Sequence, residues 1–321
     1  MNGDRAARAV VFAEAGRLDL RAVTLRDCAA DEVIVETRYS SISAGTERVL
    51  LDGKLPPIPH LGYPLIPGYE AAGVVTHCGD AVTDVNLGDE VFVGGSMCYT
   101  DVGAFFGGQS SRLIKKAAQV IPLHGIPLAH APLLALAATS LHGVRRGGDL
   151  AGKAVAVVGM GAIGQFAARF VATMGPSMFF ESDKNPQRLG RIPGAQSVDV
   201  NLQTLAEAAP GGLDVIFEGT GHGPNLALCA KALKPGGTIV LLSYYDVLET
   251  PFMDIFIKEA TLVAAKEWSH ADLLGARDLI ANGDVSVADL AETLYPVERY
   301  QAAYDAAFGD PSTVKVILQW A

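Results

Sequence analysis

One stretch of the sequence restricts the possible folds more than any other: the segment AVAVVGMGAIG, which begins at Ala154. A run of small and β-branched apolar residues leads directly into three glycines, and an apolar segment of helical length, 165–174, follows. Glycines at this spacing permit a tight turn, a close approach of the backbone to a pyrophosphate, and close packing of helix and strand. The segment therefore predicts a dinucleotide-binding unit. The residues expected to contact the cofactor are Gly159, Gly161, Ala162, Ile163 and Gly164.

The acidic residue after the second strand predicts which dinucleotide binds. Asp183 lies about 20 residues beyond the glycines, where a carboxylate accepts hydrogen bonds from the adenosine ribose hydroxyls and repels a 2′-phosphate. This position favours NAD over NADP. Glu181 is near enough to share the role, whereas Lys184 and Arg188 would suit a phosphate.

A βα period continues from Lys153 to about residue 268. Six short apolar runs separated by helices or turns predict a parallel sheet that is covered on both faces. The runs are Ala154–Val158, Met178–Glu181, Ser197–Val200, Leu213–Phe217, Thr238–Leu242 and Thr261–Ala265. Because ligands bind at the carboxyl ends of parallel strands, the residues after the fourth and fifth runs should line the nicotinamide site. These residues are Thr220, Ser243 and Tyr244.

The rest of the chain predicts a second, β-rich domain. Short strands separated by turns occupy the first 125 residues or so, a helix is expected over 129–144, and a last strand over 314–319 is expected to return to this domain. The predicted strands are Ala9–Phe12, Glu32–Glu36, Ala71–Val75, Glu90–Val93 and Ser111–Ile114. The fold class is therefore α/β. The domains are 1–143 with 269–321, which is β-rich, and 144–268, which binds the dinucleotide, with the ligands in the crevice between them.

Composition excludes several classes of partner. A net charge of −10 argues against nucleic acid, because binding phosphates requires basic surface. No run of 18 apolar residues occurs, so stable membrane insertion is not expected. The N-terminal residues lack an apolar signal core, which favours a cytoplasmic location. The four cysteines form no close pairs, which argues against a disulfide framework or a C-x-x-C metal site.

Three elements of the chain resemble the medium-chain dehydrogenase/reductase superfamily. They are SAGTE at 43–47, PGYEAAGVV at 67–75 and LLALAAT at 133–139. The resemblance implies a Rossmann domain joined to a GroES-like catalytic domain. Where the zinc enzymes of the superfamily carry Cys, His and Cys, this chain has Ala44, Tyr69 and Ala135. Alanine cannot bind a metal ion, a neutral phenol binds poorly, and a catalytic zinc site needs about three protein ligands. We therefore expect a member without a metal ion.

The same resemblance suggests which hydroxyl groups handle protons. Thr46 occupies the position of the hydroxyl that relays protons in zinc relatives, although it is equally compatible with a turn or a helix cap. Tyr69 replaces a metal ligand and should face the substrate, unless it only fills space. A catalytic Tyr69 would need its pKa lowered, for example by Arg48 or Lys266.

Two acids remain at positions that resemble those around the zinc ion. Glu47 and Glu70 are candidates for proton transfer, with the alternative that they brace loops through Arg48 and Lys315. Lys315 resembles the basic residue that reaches the pyrophosphate and these acids, although it is also compatible with a surface lysine.

Several stretches of the β-rich domain resemble, more narrowly, the bacteriochlorophyllide a dehydrogenases. They are SSISAGTER at 40–48, LDGKLPP at 51–57, LGYPLIPGYE at 61–70, FFGGQSSR at 105–112 and FGDP at 308–311. This resemblance implies that a 3-(1-hydroxyethyl) group on a tetrapyrrole is oxidised to 3-acetyl with NAD as hydride acceptor. The conjugated ring delocalises positive charge at the reacting carbon, and we expect this to make zinc dispensable. An apolar pocket is expected to include Ile58, Tyr63, Phe105 and Phe106.

Two other functions and an assembly are compatible with the sequence. The chain resembles zinc-free quinone or C=C reductases that use NADPH, and it could also be a dinucleotide-binding protein that has lost catalysis. Thr261–Ala265 is expected at the edge of the parallel sheet. Since such edges tend to be paired or covered, we expect a homodimer.

Overall fold

The computed structural model describes residues 5–54, 62–245, 247–310 and 312–320. The chain divides into two compact units, Met1–Ala135 with Val287–Ala321, and Leu136–Ser286. We call them unit 1 and unit 2. The functional domain boundaries expected from the sequence, at 143/144 and 268/269, stay a prediction.

The structure contains the following elements in the described residues. The strands are β1 Ala6–Glu14, β2 Arg17–Thr24, β3 Glu32–Ile42, β4 Leu65–Ile66, β5 Ala71–Cys78, β6 Glu90–Val93, β7 Gly103–Ala104, β8 Arg112–Lys116, β9 Val120–Pro122, β10 Ala154–Val158, β11 Met178–Asp183, β12 Gln196–Asp199, β13 Leu213–Glu218, β14 Leu233–Leu241, β15 Thr261–Ala264, β16 Leu294–Pro296 and β17 Val316–Gln319. The helices are α1 Thr46–Leu51, α2 Leu134–Arg146, α3 Ala162–Thr173, α4 Leu205–Ala208, α5 Asn225–Ala232, α6 Phe252–Phe256, α7 His270–Ala281 and α8 Tyr300–Gly309.

Unit 1 is built from two sheets. One has the order β2-β1-β4-β7, and the other has the order β16-β17-β3-β5-β6-β9, with β8 also paired to β3. The last strand, β17, is antiparallel to β3, with Val316 opposite Ile42, so the tail of the chain completes the sheet begun near its start. Apolar side chains between these sheets and α8 form buried clusters that include Phe12, Tyr304 and Trp320.

The predicted strands of unit 1 all exist. Five further strands in the described residues were not predicted: β2, β4, β7, β9 and β16. The strand β2 pairs with β1 along nearly its whole length. In β2 the apolar residues Leu18 and Leu20 alternate with the charged residues beside them, which is the pattern of a half-buried strand. The expected helix over 129–144 begins later, at Leu134, after a short turn of 3₁₀ helix.

Unit 2 contains one six-stranded sheet with the order β12-β11-β10-β13-β14-β15, and every neighbouring pair in it is parallel. All six predicted apolar runs are confirmed as strands. The residues of β10 are buried throughout, because helices cover a central strand of this kind on both faces. The strand order reverses at β10, next to β13, and the turn between β10 and α3 lies at that reversal.

No helix in the described part of the chain has the length and apolar character needed to cross a membrane.

Candidate active site and dinucleotide site

Glu47 is fully buried and is surrounded by hydrogen-bond donors. The backbone amide of Ser43 donates to Oε1 of Glu47 at 3.0 Å, and Nε2 of Gln109 donates to the same oxygen at 3.3 Å. The hydroxyl of Tyr304 donates to Oε2 at 2.5 Å. Burial raises the pKa of Glu47 to about 7, and the donors from Tyr304 and Ser43 oppose that rise. Glu47 therefore joins the start of α1 to α8, and Arg48 is not its partner as the sequence had suggested.

Glu70 and Lys315 form a buried ion pair. Nζ of Lys315 lies 2.5 Å from Oε2 of Glu70, and both side chains are almost completely inaccessible. The hydroxyl of Ser41 donates to the same oxygen. Burial raises the pKa of Glu70, and the Lys315 ammonium opposes that rise. The expected contact of Lys315 with this acid is confirmed, while its contact with a cofactor stays a prediction.

Tyr69 belongs to a small cluster of hydroxyl groups. Its hydroxyl lies 2.6 Å from Oγ of Ser43 and 3.4 Å from Oγ1 of Thr46, at the first residue of α1. Two of the predicted proton-handling residues are therefore brought together by a serine that the sequence had not singled out.

The expectation that a cation lowers the pKa of Tyr69 is wrong. Burial raises the pKa of Tyr69, and the negative charge of Glu70 adds to the rise. The guanidinium of Arg48 instead donates to the carbonyl of Phe308 at 3.0 Å. The ammonium of Lys266 is exposed and pairs with Glu267. Tyr69 therefore remains a neutral phenol at physiological pH.

Aromatic rings extend the surroundings of Tyr69. The ring of Phe106 lies edge-on to that of Tyr69, with centroids 5.0 Å apart, and Phe105 contacts Phe106 at 4.5 Å. The hydroxyl of Tyr63 donates to the carbonyl of Leu50. Ile58, the other residue expected in an apolar pocket, lies outside the described residues.

The three positions that correspond to the zinc ligands of related enzymes lack the usual zinc-binding side chains. Ala44 is exposed in the turn before α1, Ala135 is buried in the first turn of α2, and Tyr69 is engaged with Ser43. Within the described residues, no group of three or more His, Cys, Asp or Glu side chains could hold a metal ion. The side chains at these three positions therefore do not fit a catalytic zinc ion.

The glycine turn of unit 2 has the geometry that a dinucleotide requires. Gly159 has a φ of +87°, and a Cβ on Gly164 would lie 1.9 Å from the carbonyl oxygen of Gly159. A Cβ on Gly161 would meet nothing closer than the guanidinium of Arg188, at 3.8 Å. No side chain caps the N-terminus of α3, where Ala162 and Ile163 begin the helix. The turn thus leaves open space and amide donors for a pyrophosphate.

Asp183 ends β11 and holds the glycine turn in place. Its Oδ2 accepts a hydrogen bond from the amide of Met160 at 2.6 Å, and its Oδ1 accepts one from the amide of Asn185 at 2.7 Å. Glu181, in contrast, is fully buried and accepts from the hydroxyl of Ser197 at 2.7 Å. The suggestion that Glu181 shares a ribose contact is therefore wrong, since its side chain points into the protein.

The other predicted cofactor residues lie beyond the carboxyl ends of neighbouring strands. Thr220 follows β13 and bonds to the carboxylate of Glu218 through both its amide and its hydroxyl. The hydroxyl of Ser243, after β14, donates to the carbonyl of Gly219 at 2.8 Å. Tyr244 is exposed. These residues stay a predicted cofactor site.

Sequence reasoning missed four residues that organise the site of unit 1. They are Ser41, Ser43, Gln109 and Tyr304. The sequence did carry a signal for the two serines, because Ser41 lies in the apolar strand β3 and Ser43 follows it directly, and buried polar groups require partners. Nothing in the local sequence connected Tyr304 to Glu47, 257 residues away.

The chain is similar to two curated proteins over nearly its whole length. One, from Cereibacter sphaeroides, is named 2-desacetyl-2-hydroxyethyl bacteriochlorophyllide A dehydrogenase; it is 33% identical over 97% of this chain and 98% of its own length. Another protein of the same name, from Rhodobacter capsulatus, is 36% identical over 92% of each chain.

Family and structural comparisons agree with this similarity. Residues 29–125 match the alcohol dehydrogenase GroES-like domain. A crystal structure from Sinorhizobium meliloti, described as a putative zinc-binding dehydrogenase bound to NADP, matches 99% of this chain and 100% of its own, with a TM-score of 0.84 and 22% identity. At that identity the match shows the fold alone. Taken with the two curated relatives, it places this chain in the family of the 2-desacetyl-2-hydroxyethyl bacteriochlorophyllide A dehydrogenases, within the medium-chain dehydrogenase/reductase superfamily.

Proposed function

We propose that this protein oxidises the 3-(1-hydroxyethyl) group of a bacteriochlorophyllide to a 3-acetyl group, with transfer of a hydride to NAD⁺ and without a catalytic zinc ion. The observation that carries the proposal is Tyr69, which replaces a metal ligand with a phenol bonded to Ser43 and close to Thr46. The two full-length relatives support the substrate, because both bear the name of a hydroxyethyl bacteriochlorophyllide dehydrogenase.

The substrate itself compensates for the missing metal ion. In zinc enzymes the ion stabilises the alkoxide from which the hydride departs. In a hydroxyethyl group on a conjugated macrocycle, the ring delocalises the positive charge that develops as the hydride leaves. The hydroxyl proton then becomes strongly acidic during the transfer, so that a neutral oxygen is a sufficient acceptor.

Tyr69 and Thr46 are proposed to receive this proton. The carbinol loses a hydride from carbon and a proton from oxygen, which leaves the C=O bond of the acetyl group. The phenol oxygen of Tyr69 accepts the proton and passes its own to Ser43 or Thr46, and from there to water. Glu47 and Glu70 position the surrounding loops in this scheme. Both oxygens of Glu47 already accept hydrogen bonds from Gln109 and Tyr304, and Oε2 of Glu70 pairs with Lys315.

The glycine turn and Asp183 are proposed to hold the cofactor. The open space over Gly161 and the uncapped start of α3 fit a pyrophosphate. Asp183 retains lone pairs for the ribose hydroxyls beside its two backbone bonds, and its charge disfavours a 2′-phosphate. When bound, NAD⁺ supplies the carbon that accepts the hydride. Lys315 is proposed to add a positive charge near the phosphates.

One assay separates this function from its two alternatives. The purified protein is incubated with 3-(1-hydroxyethyl)bacteriochlorophyllide a and either NAD⁺ or NADP⁺, and the visible absorption of the pigment is followed. We expect a 3-acetyl product with NAD⁺. Reduction of a quinone by NADPH, without reaction of the pigment, would identify a quinone reductase, and binding of NAD⁺ without any turnover would identify a protein that has lost catalysis.

We also propose that the protein is a homodimer that pairs through β15. This strand is the last in the parallel sheet and is largely exposed. Exposed apolar side chains precede it at Phe252 and Phe256, whose rings stack 5.3 Å apart. Exposed strand edges and apolar patches of this kind are usually covered. The expected cytoplasmic location stays a prediction.

A further inference from the structure

Phe106 has a backbone conformation that large side chains rarely adopt. Its φ is +69°, in the left-handed region, where a bulky residue is an outlier that costs free energy. About 38% of the residue is exposed, although phenylalanine is usually buried. Strained residues of this kind concentrate at functional sites, where the surrounding structure holds them in place.

The neighbouring backbone is the reason that this conformation persists. The carbonyl oxygen of Phe106 packs so closely on Gly95 that a Cβ there would lie 2.3 Å away. On the other side, the hydroxyl of Tyr99 donates to the carbonyl of Gly107 at 2.6 Å. The amide of Phe105 donates to Ile66 at 2.8 Å. The segment is therefore held on both sides of Phe106, and the ring is presented at a defined place.

Phe106 lies between the hydroxyl cluster around Tyr69 and the solvent. It meets Tyr69 edge-on at 5.0 Å and at an interplanar angle of 75°, and the hydroxyl of Tyr69 lies beside Ser43. Phe105 packs against the core cluster that contains Phe12. Phe106, in contrast, has a ring that is partly open to solvent next to the proposed reacting group.

We propose that Phe106 is the aromatic platform on which the conjugated ring of the substrate rests, and that it places the hydroxyethyl group at the hydroxyl of Tyr69. A planar conjugated ring offers a large π-face, and aromatic pairs favour offset or edge-on contacts of the geometry that Phe106 can provide. The proposal rests on the proposed function, since it is the tetrapyrrole that supplies this face. Phe106 thus determines specificity for a flat, conjugated alcohol.

The substitution Phe106→Gly separates a platform from a structural residue. Glycine adopts the positive φ without strain, and this gain offsets the loss of the ring contacts with Tyr69 and Phe105, so the melting temperature of F106G should stay close to that of the wild type. The dissociation constant for NAD⁺ should not change. The dissociation constant for 3-(1-hydroxyethyl)bacteriochlorophyllide a, measured by quenching of pigment fluorescence, should rise about tenfold. F106Y should restore pigment binding, and Leu87→Ala, at an exposed apolar residue elsewhere in unit 1, should leave all three quantities unchanged.

Each outcome of this experiment decides the question. Unchanged pigment affinity in F106G, or a fall in melting temperature together with weaker NAD⁺ binding, would overturn the platform. Turnover of the pigment by the wild type tests the proposed function separately. If the wild type binds the pigment without oxidising it, the proposed function fails, and the loss of binding in F106G still supports the platform. If the wild type does not bind the pigment, both proposals fail.

Discussion

At the scale of single residues, Glu47 is a carboxyl group that the fold keeps fully buried. Its oxygens accept from Ser43, Gln109 and Tyr304, so its hydrogen bonds are made without a cation in direct contact. Burial disfavours the charged form, and this effect exceeds that of the donors. The buried Glu47 therefore lowers the free energy of unfolding at pH values at which its carboxyl group is ionised.

Replacing Glu47 by glutamine should remove a pH-dependent loss of stability. Burial raises the pKa of Glu47 from its ordinary value of 4.5 to about 7, so between these pH values the folded state binds more protons than the unfolded state. The free energy of unfolding contributed by this group should therefore fall by about 3 kcal/mol as the pH rises through that range. Relative to the wild type, E47Q should gain that amount, as measured by urea unfolding from pH 4 to 8.

The exposed residue Leu87 provides the control for this prediction, because L87A changes no ionisable group and should differ from the wild type by the same amount at every pH. A difference between wild type and E47Q that does not vary with pH would show that folding does not change the pKa of Glu47.

Removing only the hydroxyl of Tyr69 should affect the chemical step. Y69F keeps the ring that contacts Phe106 and loses the oxygen beside Ser43. We expect kcat with the pigment to fall about a hundredfold, with little change in KM, because a positioned proton acceptor is lost. Steady-state kinetics measure this, with Tyr295→Phe as a control in the same unit. Full activity of Y69F would mean that Tyr69 only fills the vacated ligand position.

At the scale of elements, the turn between β10 and α3 contains glycines that are present for two different reasons. At Gly164 the reason is packing, since a Cβ would overlap the carbonyl of Gly159. At Gly161 the protein itself has room, with Arg188 as the nearest neighbour of a Cβ. Packing therefore does not require glycine at 161, whereas the proposed pyrophosphate contact does.

Alanine at these two positions should therefore give opposite results. G164A should lower the free energy of unfolding by about 2 kcal/mol, because the helix and strand must move apart. G161A should unfold like the wild type but bind NAD⁺ about tenfold more weakly, since its methyl group occupies the space of the pyrophosphate. Urea unfolding and calorimetric titration with NAD⁺ measure the two effects. Equal NAD⁺ affinity in G161A and the wild type would remove the turn from the cofactor site.

The proposed homodimer pairs through the edge strand β15. We expect the wild type to be a dimer in solution, and Leu262→Lys to shift it towards a monomer, because a charge on an exposed edge opposes pairing. Light scattering coupled to size-exclusion chromatography measures the mass. Leu202→Lys, at an exposed residue of the same unit, should remain dimeric. A monomeric wild type at micromolar concentration would contradict the proposed assembly.

At the scale of the whole molecule, zinc should be dispensable for activity. Alanine at 44 and 135 leaves Tyr69 as the one side chain with a donor atom at the three positions, and one ligand does not form a catalytic site. Oxidation of the pigment should therefore continue at an unchanged rate after dialysis against a chelator, whereas a zinc-dependent alcohol dehydrogenase treated in parallel should lose activity. If the chelator abolished turnover and added zinc restored it, the prediction that zinc is dispensable would be wrong.

Much of the architecture was predictable because short-range patterns in the sequence indicate the strands, helices and turns. Apolar runs with intervening helices indicated the six strands of unit 2, and the glycine spacing placed the turn after β10. Predictions were weaker where a strand is half polar, as in β2, or where burial cannot be read from neighbours in the sequence. Glu181 is such a case: it lies two residues from Asp183, yet its side chain is fully buried.

The sequence by itself determined the fold class, the glycine turn after β10, and the residue types at 44, 69 and 135, which do not supply the usual ligands of a catalytic zinc ion. Only the tertiary structure decided which neighbours surround the candidate site residues. It brought Tyr304 to Glu47, fixed the phenol of Tyr69 beside Ser43, and raised rather than lowered the pKa of Tyr69. The physical reason is that periodicity reports local conformation, whereas hydrogen-bond partners and pKa values depend on burial and on neighbours that only the folded chain assembles.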